Sequence, residues 1–198
     1  SLLMYVFEHP PREPGEPIRE GVFRNSMTLH VYGPDHRLAA SIRGIPESDR
    51  FQAPWGPYGI ISTEPPFGRV TAISAGGTHA YVSTGDADEI GVYDRSGSLE
   101  RLIRRTLEPT PVTPEMASRD KERRIAEERG KLEEWDVEPR IIRMIEQLPY
   151  PEFSPPYGNS VVDSEMNLWA EEFRVAEDRP AHWSVFDPDG IWLGRVAF

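Results

Sequence analysis

Three stretches of this chain follow one pattern, and that repetition limits the fold more than any other feature. They are Leu29-His30-Val31-Tyr32-Gly33-Pro34-Asp35-His36-Arg37-Leu38, Ile90-Gly91-Val92-Tyr93-Asp94-Arg95-Ser96-Gly97-Ser98-Leu99 and Trp183-Ser184-Val185-Phe186-Asp187-Pro188-Asp189-Gly190-Ile191-Trp192. Each continues to an aliphatic residue at the same offset, Ile42, Ile103 and Val196. Two strands joined by a four-residue turn account for the pattern. In Asp187-Pro188-Asp189-Gly190 the aspartate opens the turn, proline presets φ, and glycine stands where φ must be positive. The second copy keeps Asp94 and Gly97. The first places His36 at the glycine position, a residue that tolerates left-handed φ better than most.

The first strand of each copy is apolar at alternate positions, Leu29 and Val31, Ile90 and Val92, Trp183 and Val185. An aromatic follows on the opposite face: Tyr32, Tyr93 and Phe186. A strand that is apolar on both faces has to be covered on both sides. Repetition extends upstream as well. Pro65-Pro66-Phe67-Gly68 is matched by Pro155-Pro156-Tyr157-Gly158. Val70–Ala75 and Ser160–Asp163 then read as first strands, and Ala80-Tyr81-Val82 and Leu168-Trp169-Ala170 as second strands. At the start of the chain Leu3, Tyr5 and Phe7 alternate like part of an earlier unit.

A unit of four short antiparallel strands carrying this turn resembles the blades of the six-bladed β-propeller superfamily, in particular NHL-repeat-like bacterial propellers. The resemblance implies an all-β fold, with residues 1–198 forming a single partial β-propeller domain. Its blades of four antiparallel strands would occupy about 1–45, 65–106 and 155–198. Corresponding positions lie 61 residues apart from Leu29 to Ile90 but 93 from Ile90 to Trp183. The excess predicts a helical insertion over 112–149, read either as a lid or as a solvated elaboration. Thr113 would cap its first helix, with Pro114 at the first position and Gly130 as a stop or break. Ile141, Met144, Ile145 and Leu148 would form one apolar face of a second helix. Closed propellers have about four to eight blades. The chain is therefore expected to be a fragment, or half of a ring completed by a second copy, with open blade faces free for self-association.

Composition narrows the partners. The 33 acidic against 22 basic residues leave a formal net charge of −11, unfavourable for a nucleic-acid or anionic membrane partner. The nearest basic patch, Arg101, Arg104 and Arg105, is diluted by Glu100 and Glu108. The absence of cysteine removes thiol catalysis, disulfides and thiolate metal sites. No apolar run has the length of a membrane span, and Leu2–Phe7 lacks the marks of a signal peptide. The family resemblance alone implies an extracytoplasmic setting.

Chemistry is harder to find. Some propellers of this type are hydrolases that hold a metal through carboxylate and amide side chains. Asp163, Asn167, Glu171 and Glu172 are the nearest material for such a site. Asp163 and Asn167, however, flank a turn that favours both residue types for backbone reasons. The histidines, His9, His30, His36, His79 and His182, show no ligand spacing, and no serine stands in a nucleophile elbow. Trp55, Trp169, Trp183 and Trp192 suit either a carbohydrate-binding surface or core packing, and the repeat positions of three favour the core. The reading is thus an interaction or ligand-binding scaffold without catalysis of its own, needing no cofactor or metal and taking a protein or small-molecule ligand. The alternative is a metal-dependent hydrolase or lyase.

Overall fold

In a computed structural model the described residues are 2–6, 20–33, 35–54, 59–106, 108–132, 139–175 and 180–198. They are mostly β. The strands are β1 (Leu2–Val6), β2 (Gly21–Phe23), β3 (Ser26–Tyr32), β4 (Leu38–Pro46), β5 (Arg50–Pro54), β6 (Ile60–Thr63), β7 (Ala72–Gly76), β8 (His79–Ser83), β9 (Glu89–Tyr93) and β10 (Leu99–Arg104). After the helices α1 (Pro114–Leu132) and α2 (Pro139–Gln147) come β11 (Tyr157–Val162), β12 (Leu168–Glu172), β13 (His182–Phe186) and β14 (Trp192–Ala197).

These strands form four separate antiparallel sheets. Two have four strands each in sequence order, β7 to β10 and β11 to β14. The other two have three, in the orders β1-β3-β4 and β2-β5-β6. This corrects the propeller expectation, because none of the sheets is closed and the described residues make no ring of equivalent four-stranded blades. The physical reason lies in the N-terminal part. There the strand Gly21–Phe23 pairs with Arg50–Pro54, as Val22 with Phe51, and takes no place beside β1, β3 and β4. The repeat encodes hairpins that stack face to face, a requirement that separate sheets also meet. The arrangement is not that of a six-bladed, NHL-like propeller.

The hairpin turns follow the sequence closely. Asp94 Oδ1 accepts the amides of Ser96 and Ser98 at 2.8 and 3.0 Å, and Asp187 Oδ1 those of Asp189 and Ile191 at 3.0 and 2.8 Å. Asp163 Oδ1 does the same for Glu165 and Asn167, both at 2.9 Å. Three residues after each aspartate the backbone is left-handed, with φ of 79° at Gly97, 83° at Gly190 and 68° at Met166. His36 matches them at 59°, three residues after Gly33. Pro34 in that turn, like Phe7 at the start, lies outside the described residues. The Pro-Pro-aromatic-Gly copies diverge. Gly68 N–H closes a turn on Pro65 O and leaves Phe67 at φ 53°, whereas Tyr157 enters β11 opposite Glu172.

Three apolar clusters join the sheets. One lies between the two four-stranded sheets and contains Tyr81, Ile90, Val92 and Ile103 with Tyr157, Leu168, Ala170 and Phe186. A second joins Met27, Leu29, Val31, Ile42 and Ile45 to Ala80 and Val82. The third seats Ile145 and Leu148, with Ile141 and Met144 beside them, on Phe51 and Ala53 of β5. Helix α2 thus buries its apolar face against the β2-β5-β6 sheet. Thr113 caps α1, its Oγ1 accepting the amide of Met116 at 3.3 Å, and the helix runs through Gly130 to Leu132. The outer face of the β11–β14 sheet leaves Val161 and Leu193 exposed.

A left-handed non-glycine residue costs about 1–2 kcal/mol, partly offset by glycine's larger unfolded-state entropy. His36→Gly is expected to stabilise the protein by roughly 0.5–1 kcal/mol, read as a shifted denaturant midpoint with unchanged slope. Gly190→Ala should do the opposite by at least about 1 kcal/mol. Its Cβ would need left-handed φ and would stand 2.9 Å from Ile103 Cγ1.

Candidate functional site

The loops at one end of the sheets enclose a cleft of about 710 Å³. One wall is a short antiparallel pinch at the base of the helical segment. Val112 N–H donates to Glu152 O at 2.9 Å, Ser154 N–H to Thr110 O at 3.0 Å, and Pro111 bridges to Phe153. This wall is rich in proline, with Pro109, Pro151, Pro155 and Pro156, and it presents the half-exposed ring of Phe153. Prolines suit an irregular wall because they carry no N–H to leave unpaired.

Two ionic clusters contribute to the lining through Asp49, Arg69 and Asp86 and through Glu172 and Arg195. In the first, Arg24 holds Asp86 through Nη1 at 2.9 and 2.8 Å, and its other donors reach Glu47 O at 2.5 Å, Thr71 Oγ1 at 3.0 Å and Thr84 O at 2.6 Å. Arg69 grips Asp49 through Nη2 at 2.9 Å and its own amide at 2.8 Å, and reaches Asp86 at 2.9 Å. Two guanidiniums and two carboxylates therefore neutralise one another. Burial pushes the Asp86 carboxyl up, but Thr84, Arg24 and Arg69 outweigh it and hold the group below its ordinary range. Arg69 is raised, chiefly by its hydrogen bond to Asp49.

The second cluster links the two four-stranded sheets. Ser184 is fully buried and donates to Glu172 Oε1 at 2.8 Å while accepting a hydrogen bond from Arg105 Nη1. Arg195 reaches Glu172 Oε2 at 2.5 Å. The Arg105 guanidinium also lies over the Trp192 ring, 5.1 Å from its centroid, a cation–π contact. Burial raises Glu172, yet Ser184, Arg195 and Arg105 together hold it below the usual carboxylate range. Nearby, Tyr157 Oη donates to Asp88 Oδ1 at 2.5 Å. Burial, then that bond and the Asp88 charge, push the tyrosine hydroxyl well above its ordinary range.

The residues singled out from sequence do not converge. Asp163 spends its carboxylate on the turn amides, on Asn167 Nδ2 at 3.0 Å and on Trp169 Nε1 at 2.9 Å. Glu171 faces Arg174 at 3.6 Å, and only Glu172 lines the cleft. Val162 pairs with Leu168 and Tyr157 with Glu172, so the two halves of the quartet sit at opposite ends of β12. No group of three or more histidine or carboxylate side chains is placed to hold a metal among the described residues.

The histidines are as scattered as their spacing. His182 lines the cleft, His30 bonds Ser41 Oγ at 2.8 Å, and His79 bonds Glu100 at 2.8 Å. His9 and Trp55 lie outside the described residues. Trp192 is half-exposed rather than part of the core, and Trp169 packs beside Phe198. The cleft residues Asp49, Arg69, Asp86 and Asp88, and the arginines that pair with its carboxylates, Arg24 and Arg105, sit in loops and at strand ends where no repeat position marks them. The helices of the described residues include none long and apolar enough to cross a membrane. No family model and no curated protein matches the chain, so the propeller resemblance and the extracytoplasmic setting inferred from it have no further support.

The lowered carboxyls of Asp86 and Glu172 set a pH dependence. Each folded pKa lies below its unfolded value, so the stabilisation is complete above the unfolded carboxylate range of about 4 and is lost as pH falls through the folded values. Thermal unfolding followed from pH 7 to pH 2 should show a flat plateau and then a decline. That decline should be shallower in Glu172→Gln. Arg24, with a side chain only 10% exposed, also serves the Glu47 and Thr84 carbonyls; its removal leaves Asp86 to Arg69 and Thr84, and Arg24→Ala should cost about 1–3 kcal/mol by chemical denaturation.

Proposed function

We propose that this protein is a ligand-binding scaffold, without catalysis of its own, whose ligand lies in the cleft between the proline-rich wall and the paired ionic clusters. The observation that carries the reading is that the carboxylates of the two ionic clusters are already committed to partners. Asp49 and Asp86 are held by Arg24 and Arg69, and Glu172 by Ser184 and Arg195. A general base needs a free lone pair within reach of its proton, and a nucleophile needs an adjacent base. Groups locked into mutual pairs instead form a rigid, preorganised surface, which lowers the ordering cost of binding.

The chemistry of the lining points to the kind of ligand. Phe153, Phe173 and the prolines offer an apolar bed, while Glu108 and Glu152 stand at the cleft without ion pairs among the described residues. With a formal net charge of −11, the molecule also attracts cations at long range. An elongated ligand with an apolar body and positive groups, such as a basic segment of a protein, fits both features.

Thermal-shift screening of short basic, proline-containing peptides tests this, followed by titration calorimetry of the hits. Phe153→Ser and Glu152→Lys alter exposed side chains and leave the core intact. Each is expected to weaken binding by at least about tenfold, equivalent to about 1.4 kcal/mol. Equal affinity in the wild type and both variants would place the ligand elsewhere and sink the proposal. Turnover of a bound compound that disappears in Glu172→Gln would overturn its non-catalytic half.

A further inference from the structure

A second hollow, of about 530 Å³, adjoins the cleft and shares Asp49, Arg69 and Phe173 with it. Three guanidiniums line it, Arg50, Arg69 and Arg124, against two carboxylates, Asp49 and Glu64. Among the lining residues the balance is one positive charge, in a chain whose overall balance is strongly negative, with Asp86 and Asp120 just outside paired to Arg69 and Arg124.

Each guanidinium carries five N–H donors. Arg69 directs Nε and Nη2 at Asp49 and Nη1 at Asp86, which leaves the second proton of each terminal nitrogen. Arg124 bonds Asp120 Oδ2 through Nε at 2.8 Å, so its terminal nitrogens are open. The Arg50 side chain has no hydrogen bond or ion pair among the described residues, although it stands in the hollow. Both Asp49 oxygens are already engaged by Arg69. The open donors thus outnumber the open acceptors.

The wall of the hollow holds the one bulky aromatic residue with positive φ among the described residues. Phe67 sits at φ 53°, a conformation that costs an L-residue about 1–2 kcal/mol. It persists because the Pro65–Gly68 turn closes at 3.1 Å and because Tyr150 and Phe173 pack against the ring, with centroids 5.9 and 6.2 Å away. Strain of this kind concentrates at ligand clamps, where the surroundings over-determine it. Phe173 therefore brings aromatic surface to the same hollow as the arginines, with the buried Phe67 ring packed against it.

We propose that this hollow is an oxyanion-binding site. Arg50, with the spare donors of Arg69 and Arg124, takes a carboxylate or phosphate group, and Phe173, backed by Phe67, takes a flat apolar body attached to it. Arg50 is exposed on β5, so its replacement leaves the core untouched. A planar fork recognises oxyanions in a way that a lysine ammonium reproduces only in charge.

Titration calorimetry of the full chain at fixed chloride, with phenyl phosphate, benzoate and inorganic phosphate in separate runs, tests the site. Either aromatic anion is expected to bind saturably at one site and more tightly than inorganic phosphate, and their order tells phosphate from carboxylate. Arg50→Ala should weaken binding by at least about tenfold, with Arg50→Lys recovering part of the loss. Circular dichroism establishes that both variants are folded, and Arg50→Lys alone suffices if Arg50→Ala is not. Absence of saturable heat from all three anions, or affinity unchanged in the folded variants, overturns the proposal. The Phe153 and Glu152 variants do not reach this hollow, so the two sites succeed or fail separately.

Discussion

Strands β8 and β9 are apolar on both faces, and the placement of nearly everything else follows from the need to cover them. Ala80 and Val82 of β8 enter the cluster with Leu29 and Val31, while Tyr81, between them, enters the cluster with Tyr157 and Phe186. In β9 the sides reverse, as Ile90 and Val92 face the β11–β14 sheet and Tyr93 the other. A sheet buried on both faces needs a neighbour on each. The middle four-stranded sheet is accordingly the shared layer of the two clusters. At roughly 25 cal/mol per Å² of apolar surface removed from water, such shared burial is the dominant favourable term in the fold.

Where the sheets meet, the loops that join them cannot avoid bringing polar groups together, and ionic pairs settle the account. Arg24 reaches from the segment before β3 to Asp86, which precedes β9, and Arg105 reaches from the end of β10 to Ser184 in β13. Both contacts tie one sheet to another. Their geometry is multidentate, which distinguishes them from the isolated surface pairs that contribute little. The helical segment enters the same arrangement. Its pinched base forms a cleft wall, and α2 shields the small β2-β5-β6 sheet, whose three short strands have little core of their own.

Local structure was the most legible part of the chain. An aspartate followed three residues later by glycine specifies a turn, because one carboxylate oxygen accepts two backbone amides and glycine relieves the left-handed φ. The structure shows the same clamp at Asp163, where Met166 takes the left-handed position and hides the pattern from sequence reading. The larger inference from those hairpins, a ring of equivalent blades, did not hold. Pattern at the level of a hairpin states that both faces are buried without naming the neighbour that buries them. The candidate site was almost illegible. Glu172 alone among the residues singled out lines the cleft in partnership with charged groups, and its partners Ser184, Arg195 and Arg105 come from β13, β14 and the end of β10.

The repeat with which the sequence begins to make sense therefore determined a definite part of this protein. Alternating apolar residues and their aspartate turns decided that the chain forms antiparallel hairpins with two buried faces, because side-chain alternation and turn φ are properties of a few adjacent residues. Tertiary structure alone decided which hairpins share a sheet. It moved Gly21–Phe23 beside Arg50–Pro54, and it brought Arg50, Arg69 and Arg124 to one hollow. Those outcomes depend on competition between distant surfaces for the same apolar faces and on charges that meet only after the sheets have stacked. No local pattern in the chain records either.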